Sequence, residues 1–105
     1  MNENSYRQIT QEKAKEMMGA QEVVILDVRE QHEYDSGHIP GAVLLPVGTI
    51  KEDTAAVVID DLDTVVLVYC RSGNRSKTAS QALADLGYTN IYEFGGINDW
   101  PYEVE

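Results

Sequence analysis

Thr64-Val65-Val66-Leu67-Val68-Tyr69-Cys70-Arg71-Ser72-Gly73-Asn74-Arg75-Ser76 decides the fold of this chain. Its first half is a β-branched, apolar run, as expected of a strand buried on both faces of a sheet. Its second half is small, polar and cationic, and a helical pattern follows at once. From Ser76 to Leu86 the spacing places Ala79, Ala82, Leu83 and Leu86 on one face, with Gly87 as a C-terminal cap. A strand that passes through a tight loop into a helix is the start of a parallel α/β arrangement.

The rest of the chain repeats that alternation. Val23 to Val28, Ala42 to Leu45 and Ile91 to Phe94 read as further strands, the last stopped by Gly95-Gly96, and Tyr6 to Ile9 reads as a short edge strand. Thr10 can cap a helix running to about Met18, with Gly19 as its stop. Glu30 to Asp35 and Gly48 to Asp53 suit short helical turns, while Thr54 to Asp63 is ambiguous. These elements predict an α/β domain with a mainly parallel sheet. In such sheets ligands bind at the carboxyl ends of the strands, beside helix N-termini.

Composition agrees with one domain over 1–105. The chain has 105 residues, of which 43% are hydrophobic, too many for a disordered polymer. No apolar run approaches the roughly 20 residues of a membrane span. The N-terminus lacks the basic and apolar regions of a secretory signal, so a cytoplasmic location is expected. A net charge of −10 argues against polyanionic partners, both nucleic acid and anionic membrane. One cysteine excludes an internal disulfide, and with two histidines lacking ligand spacing it predicts no metal site.

The chemistry concentrates in the loop after the strongest strand. A loop that wraps a strand end and enters a helix points backbone N–H groups inward, and the helix dipole adds a positive field. Such a cradle binds anions and favours a thiolate, lowering a cysteine from about 8.5 to roughly 3.5–7.5. Residues 70–77 carry Arg71, Arg75 and Lys77 and no acid, whereas the remainder holds five cations against eighteen acids. A lone cysteine is commonly a small buried hydrophobe. The basic, Gly-containing loop and the helix start turn Cys70 into a candidate nucleophile. The pattern of a phosphate-binding P-loop is absent.

In this loop the sequence resembles the rhodanese family, in particular its small single-domain members. Leu26-Asp27-Val28-Arg29-Glu30 is similar to a family segment at the end of a central strand. Glu33-Tyr34 and Gly37-His38-Ile39-Pro40-Gly41-Ala42 resemble a second segment, Cys70 to Ser76 the active-site loop, and Gly95-Gly96-Ile97 with Trp100 a fourth. The resemblance implies a three-layer domain: a mostly parallel five-stranded sheet with helices on both faces. It also implies sulfur transfer. Cys70 would attack the outer sulfur of thiosulfate or a similar donor, hold a persulfide, and pass the sulfur to cyanide or a thiol. The loop from Arg71 through Ser72, Gly73, Asn74 and Arg75 to Ser76 would bind the substrate through its N–H groups. Arg71 would meet the dianion, and Arg75 would either do likewise or turn inward to brace the loop. No cofactor is implied, and a monomer is the default.

Loop length separates this reading from a phosphatase, since cysteine phosphatases place the arginine after five intervening residues. Here Cys70 and Arg75 have four between them, which suits one sulfur atom better than a phosphate. A persulfide carrier serving a partner protein and a non-catalytic recognition module are the other readings, and the intact cysteine loop opposes the second. Asp27 and Arg29, near a strand end, fit a structural ion pair or loop-bracing bonds better than acid–base catalysis. His38 reads as a hydrogen-bonded scaffold residue rather than a proton shuttle. His32 and the Asp60-Asp61 run with Asp63 read as solvated, Met17-Met18 as helix core, and Trp100 as packing.

Overall fold

The computed structural model describes residues 5–105. Five strands, β1 (Arg7–Gln8), β2 (Val24–Asp27), β3 (Val43–Leu44), β4 (Val66–Cys70) and β5 (Ile91–Gly96), form one sheet in the order β1-β5-β4-β2-β3. Every neighbouring pair is parallel. The four α-helices are α1 (Gln11–Ala20), α2 (Gln31–Ser36), α3 (Glu52–Val58) and α4 (Asn74–Asp85).

The strand pleat divides the core in two. On one face, Val66, Val68 and Cys70 of β4 join Leu26 and Val28, covered by Ala55 of α3 and by Ala79 and Leu83 of α4. On the other, Leu67 and Tyr69 join Ile25 and Phe94, covered by Ala14 and Met17 of α1 and by Trp100. The central strand β4 is buried along its whole length, which explains its uninterrupted apolar sequence. Its carboxyl end is Cys70.

Several boundaries differ from the sequence expectation for identifiable reasons. Gly19 lies inside α1, which ends where Gln21 turns extended and donates its N–H to Met17 O. Thr10 does cap the helix, its Oγ1 accepting from Lys13 N at 3.0 Å. The ambiguous stretch contains α3. It starts after a 3-10 turn at Val47–Thr49, with Thr54 Oγ1 accepting from Lys51 N and donating to Thr49 O. Helix α4 begins two residues early because Gly73, at φ +105°, turns the chain at the end of the loop.

Strand β5 continues through Gly95-Gly96 instead of stopping there. Val68 pairs with Glu93 and Cys70 with Gly96, so β5 carries one extra residue at this point. Gly95 absorbs it at φ +96°. Bulges of this kind re-aim side chains beside functional sites. Here the bulge brings backbone from β5 directly beneath the Cys70 loop.

Candidate active site

Cys70 sits at the junction of β4 and α4 with only 1% of its surface exposed. Its Sγ accepts a hydrogen bond from Gly73 N at 3.0 Å and lies 3.5 Å from Ser76 Oγ. Burial alone pushes the thiol up. The Ser76 hydroxyl and the N–H groups of Ser76, Gly73 and Ser72 outweigh it, leaving Cys70 below the ordinary thiol range. The cradle therefore comprises the loop and the first turn of α4.

Close packing holds this loop. A Cβ on Gly96 would run into the Arg71 carbonyl and the Ser72 backbone, and one on Gly73 would touch Gly95. The Gly95-Gly96 pair thus lets β5 pass under the loop. Asn98 N donates to Arg71 O at 3.1 Å, and Gln11 Nε2 donates to Gly96 O at 2.8 Å.

The two loop arginines have different surroundings. Arg75 places Nη1 and Nη2 on Glu33 Oε1 and Oε2 at 2.7 and 2.9 Å. It takes the bracing alternative, tying α4 to α2, and its charge is largely spent there. The Arg75 hydrogen bond holds the Glu33 carboxyl down at about 2. Arg71 is exposed and lines a cleft with Arg29, His32, Glu33 and Asn98. Lys77 opens onto a separate recess with Ser72, Gly73 and Glu93. The three cations of residues 70–77 thus face three different places, with Arg75 paired to Glu33 and both Arg71 and Lys77 exposed. Ser72 and Asn74 are exposed, whereas Gly73 and Ser76 are buried.

Asp27 and Arg29 are bonded to each other beside the site. Arg29 Nε reaches both Asp27 carboxylate oxygens at 2.9 and 3.1 Å, Nη2 reaches Oδ2 at 2.7 Å, and Arg29 N adds a bond to Oδ1 at 3.0 Å. Tyr69 OH donates to Asp27 Oδ2 at 2.6 Å and accepts from Ile39 N at 3.1 Å. Arg29 Nη2 also donates to Gly37 O at 2.7 Å. His38 stacks on Tyr34 at 3.8 Å between centroids, and its Nδ1 is 3.0 Å from Tyr34 O. It does not reach Cys70 through any of these contacts. Among the described residues, no three His, Cys, Asp or Glu side chains are grouped as a metal ion requires.

Three residues beside the site were given no role there by the sequence. Glu33 and Tyr69 act as partners of residues distant in sequence, and nothing local announces such pairs. Glu93 is different, because a signal exists. It stands two residues after Ile91 in a buried strand, so alternation points it inward, toward α4. It is 2% exposed.

The fold agrees with comparisons to known proteins. Residues 10–102 match the family described as Rhodanese-like domain. The chain belongs to this family. Thiosulfate sulfurtransferase PspE of Escherichia coli is 39% identical over 74 residues, covering 70% of each chain. Thiosulfate sulfurtransferase GlpE of Coxiella burnetii is 33% identical over 96 residues, covering 90% of this chain and 87% of the relative. The crystal structure of a rhodanese-related protein from Thermoplasma volcanium matches with a TM-score of 0.80 at 31% identity, covering 95% and 98% of the two chains. No helix among the described residues is long and apolar enough to cross a membrane.

Proposed function

We propose that the protein is a sulfurtransferase that moves a sulfane sulfur from thiosulfate, or a similar small anionic donor, through a persulfide on Cys70. The observation that carries this reading is the cradle: a buried sulfur, depressed below the ordinary thiol range, within reach of Gly73 N–H and the Ser76 hydroxyl. The likeness to two thiosulfate sulfurtransferases supports it.

The thiolate electron pair attacks the outer sulfur of the donor. The sulfur–sulfur bond of the donor breaks, sulfite leaves with that pair, and a persulfide anion remains. Cyanide or a thiolate acceptor then attacks the outer sulfur, and the pair returns to Cys70 Sγ. Arg71, exposed at the cleft, meets the dianion. The N–H groups of Ser72, Gly73 and Ser76 face the sulfur and stabilise its negative charge. Arg75 fixes the cradle through Glu33 rather than binding substrate. Asp27, Arg29 and His38 support the cleft wall. An unpaired thiol that must be reduced to act suits a reducing cytoplasm.

Intact mass after thiosulfate treatment tests this reading. One added sulfur is expected on the wild type and none on Cys70→Ala. With cyanide present, thiocyanate should form in the wild type alone. Cys70→Ser should fold normally and transfer nothing. Absence of any persulfide, across thiosulfate and other sulfane donors, would sink the proposal. Persulfide that forms but passes to protein thiols much faster than to cyanide would identify the acceptor as a protein.

A further inference from the structure

Glu93 is a buried carboxyl that the sulfur-transfer steps above do not use. It projects from the β5 bulge toward α4 and forms no ion pair among the described residues. Its Oε2 meets Ser76 Oγ at 2.5 Å and Gly95 N at 2.9 Å, while Oε1 accepts from Gln8 Nε2 at 3.2 Å. The same Ser76 Oγ lies 3.5 Å from Cys70 Sγ. A single hydroxyl therefore links the sulfur to the carboxyl.

That hydroxyl has one hydrogen, so the chain can point only one way at a time. With a thiol, Cys70 S–H faces the Ser76 oxygen and Ser76 O–H points to an ionised Glu93. With a thiolate, Glu93 carries the proton and Ser76 O–H points to the sulfur. The two arrangements contain the same number of protons and the same charge.

We infer that Glu93 is a positioning residue that stores the Cys70 proton through Ser76 during sulfur transfer. This deepens the proposed function and rests on it. The thiol proton passes to Ser76 Oγ as the Ser76 proton passes to Glu93. The thiolate then attacks the donor, sulfite departs, and the persulfide anion keeps the Ser76 hydrogen bond. When the acceptor removes the outer sulfur, the electron pair returns to Sγ and the proton can flow back. No proton need enter from solvent during the cycle, and Cys70 is 1% exposed. The bulge supplies the geometry: Gly95 both permits the turn and donates its N–H to the same carboxyl oxygen.

Other charged groups lie near the pair. Arg75 with Glu33 and exposed Arg71 lie on the cleft side, while Lys77 and Asp99 line the recess beside Glu93. The Arg29–Asp27 pair, with Tyr69, lies on the neighbouring strands.

The test is the pH dependence of alkylation of the reduced full-length chain by iodoacetamide. Two coupled groups lose protons in two macroscopic steps. The wild type should reach full reactivity in two steps about one pH unit or more apart. Glu93→Gln cannot store a proton, and Ser76→Ala breaks the chain, so each should collapse the profile to one step. A single step in the wild type, or two steps persisting in Ser76→Ala, overturns the inference. Infrared difference spectra of the wild type need no variant. The persulfidated wild type at neutral pH, verified by intact mass, should show the carbonyl stretch of a protonated carboxyl that disappears once the pH passes the second step, and its absence overturns the inference too. The alkylation profile does not depend on sulfur transfer. Failure of persulfide formation would refute the proposed function while leaving this result readable.

Discussion

Tyr69 and Cys70 are adjacent in sequence and opposite in duty. The pleat sends Cys70 toward α4 and Tyr69 into the other core half, where its hydroxyl binds Asp27 and Ile39 N. The ring is fully buried, and burial pushes the phenol well above its ordinary range, with the Asp27 hydrogen bond adding to the effect. The hydroxyl therefore stays a donor to the carboxylate. Tyr69→Phe removes it without removing the ring. Ile39 N–H is then left without that acceptor and Asp27 without one donor. A loss of about 1–3 kcal/mol in unfolding free energy is expected, measured by urea denaturation. Persulfide formation should survive, since nothing in the cradle changes. At this scale the sequence was informative about residue types and silent about distant partners. Asp27 and Arg29 read as a structural pair because both lie near a strand end and need satisfaction. Tyr69, in a run of apolar residues, reads as core, and its hydroxyl finds its role only once β2 and β4 lie in register.

Elements, rather than residues, hold the loop in place. Glu33 in α2 ties to Arg75 in α4 and also accepts from Glu30 N, so one carboxylate closes a helix start and anchors the loop. Its folded-state value of about 2 lies below the ordinary 4.5. The stability it contributes is present above about pH 4.5 and disappears as pH falls toward 2. The pair is partly exposed, so its contribution is about 1 kcal/mol. Urea midpoints measured between pH 5 and 2 should fall in the wild type, and Glu33→Gln should flatten the part of that fall due to this carboxyl. An equal fall in the variant would assign the acid sensitivity elsewhere. Strands and long helices were legible because their periodicity survives in sequence. The β5 bulge was not, because Gly95-Gly96 signals a stop as readily as an irregular continuation. Only the packing of the loop onto Gly96 distinguishes the two.

The whole molecule carries −10, yet the proposed donor is an anion. Acidic side chains also gather at the amino ends of the strands, where Glu22, Asp60, Asp61 and Asp63 line a recess. Arg71, which follows Cys70 in sequence, stands at the carboxyl ends and lines the cleft there. The molecule extends 37 × 28 × 23 Å, while screening at physiological salt acts over about 8 Å. Charges at the far end of the sheet are thus largely invisible to a donor in the cleft. Counting cations in residues 70–77 overstates the local field, since Arg75 is matched by Glu33 and Lys77 faces the other recess. The field at the cleft rests chiefly on Arg71, with Arg29 already tied to Asp27. Arg71→Ala should lower kcat/KM for thiosulfate by about 10- to 100-fold, the range for losing one hydrogen bond to a charged group. Asp61→Asn, at the opposite end, should change it less than about twofold. The Arg71 effect should shrink as salt rises from low to physiological strength, because exposed charges are screened. Comparable effects from the two substitutions would mean that the overall charge, not the local cleft, governs capture.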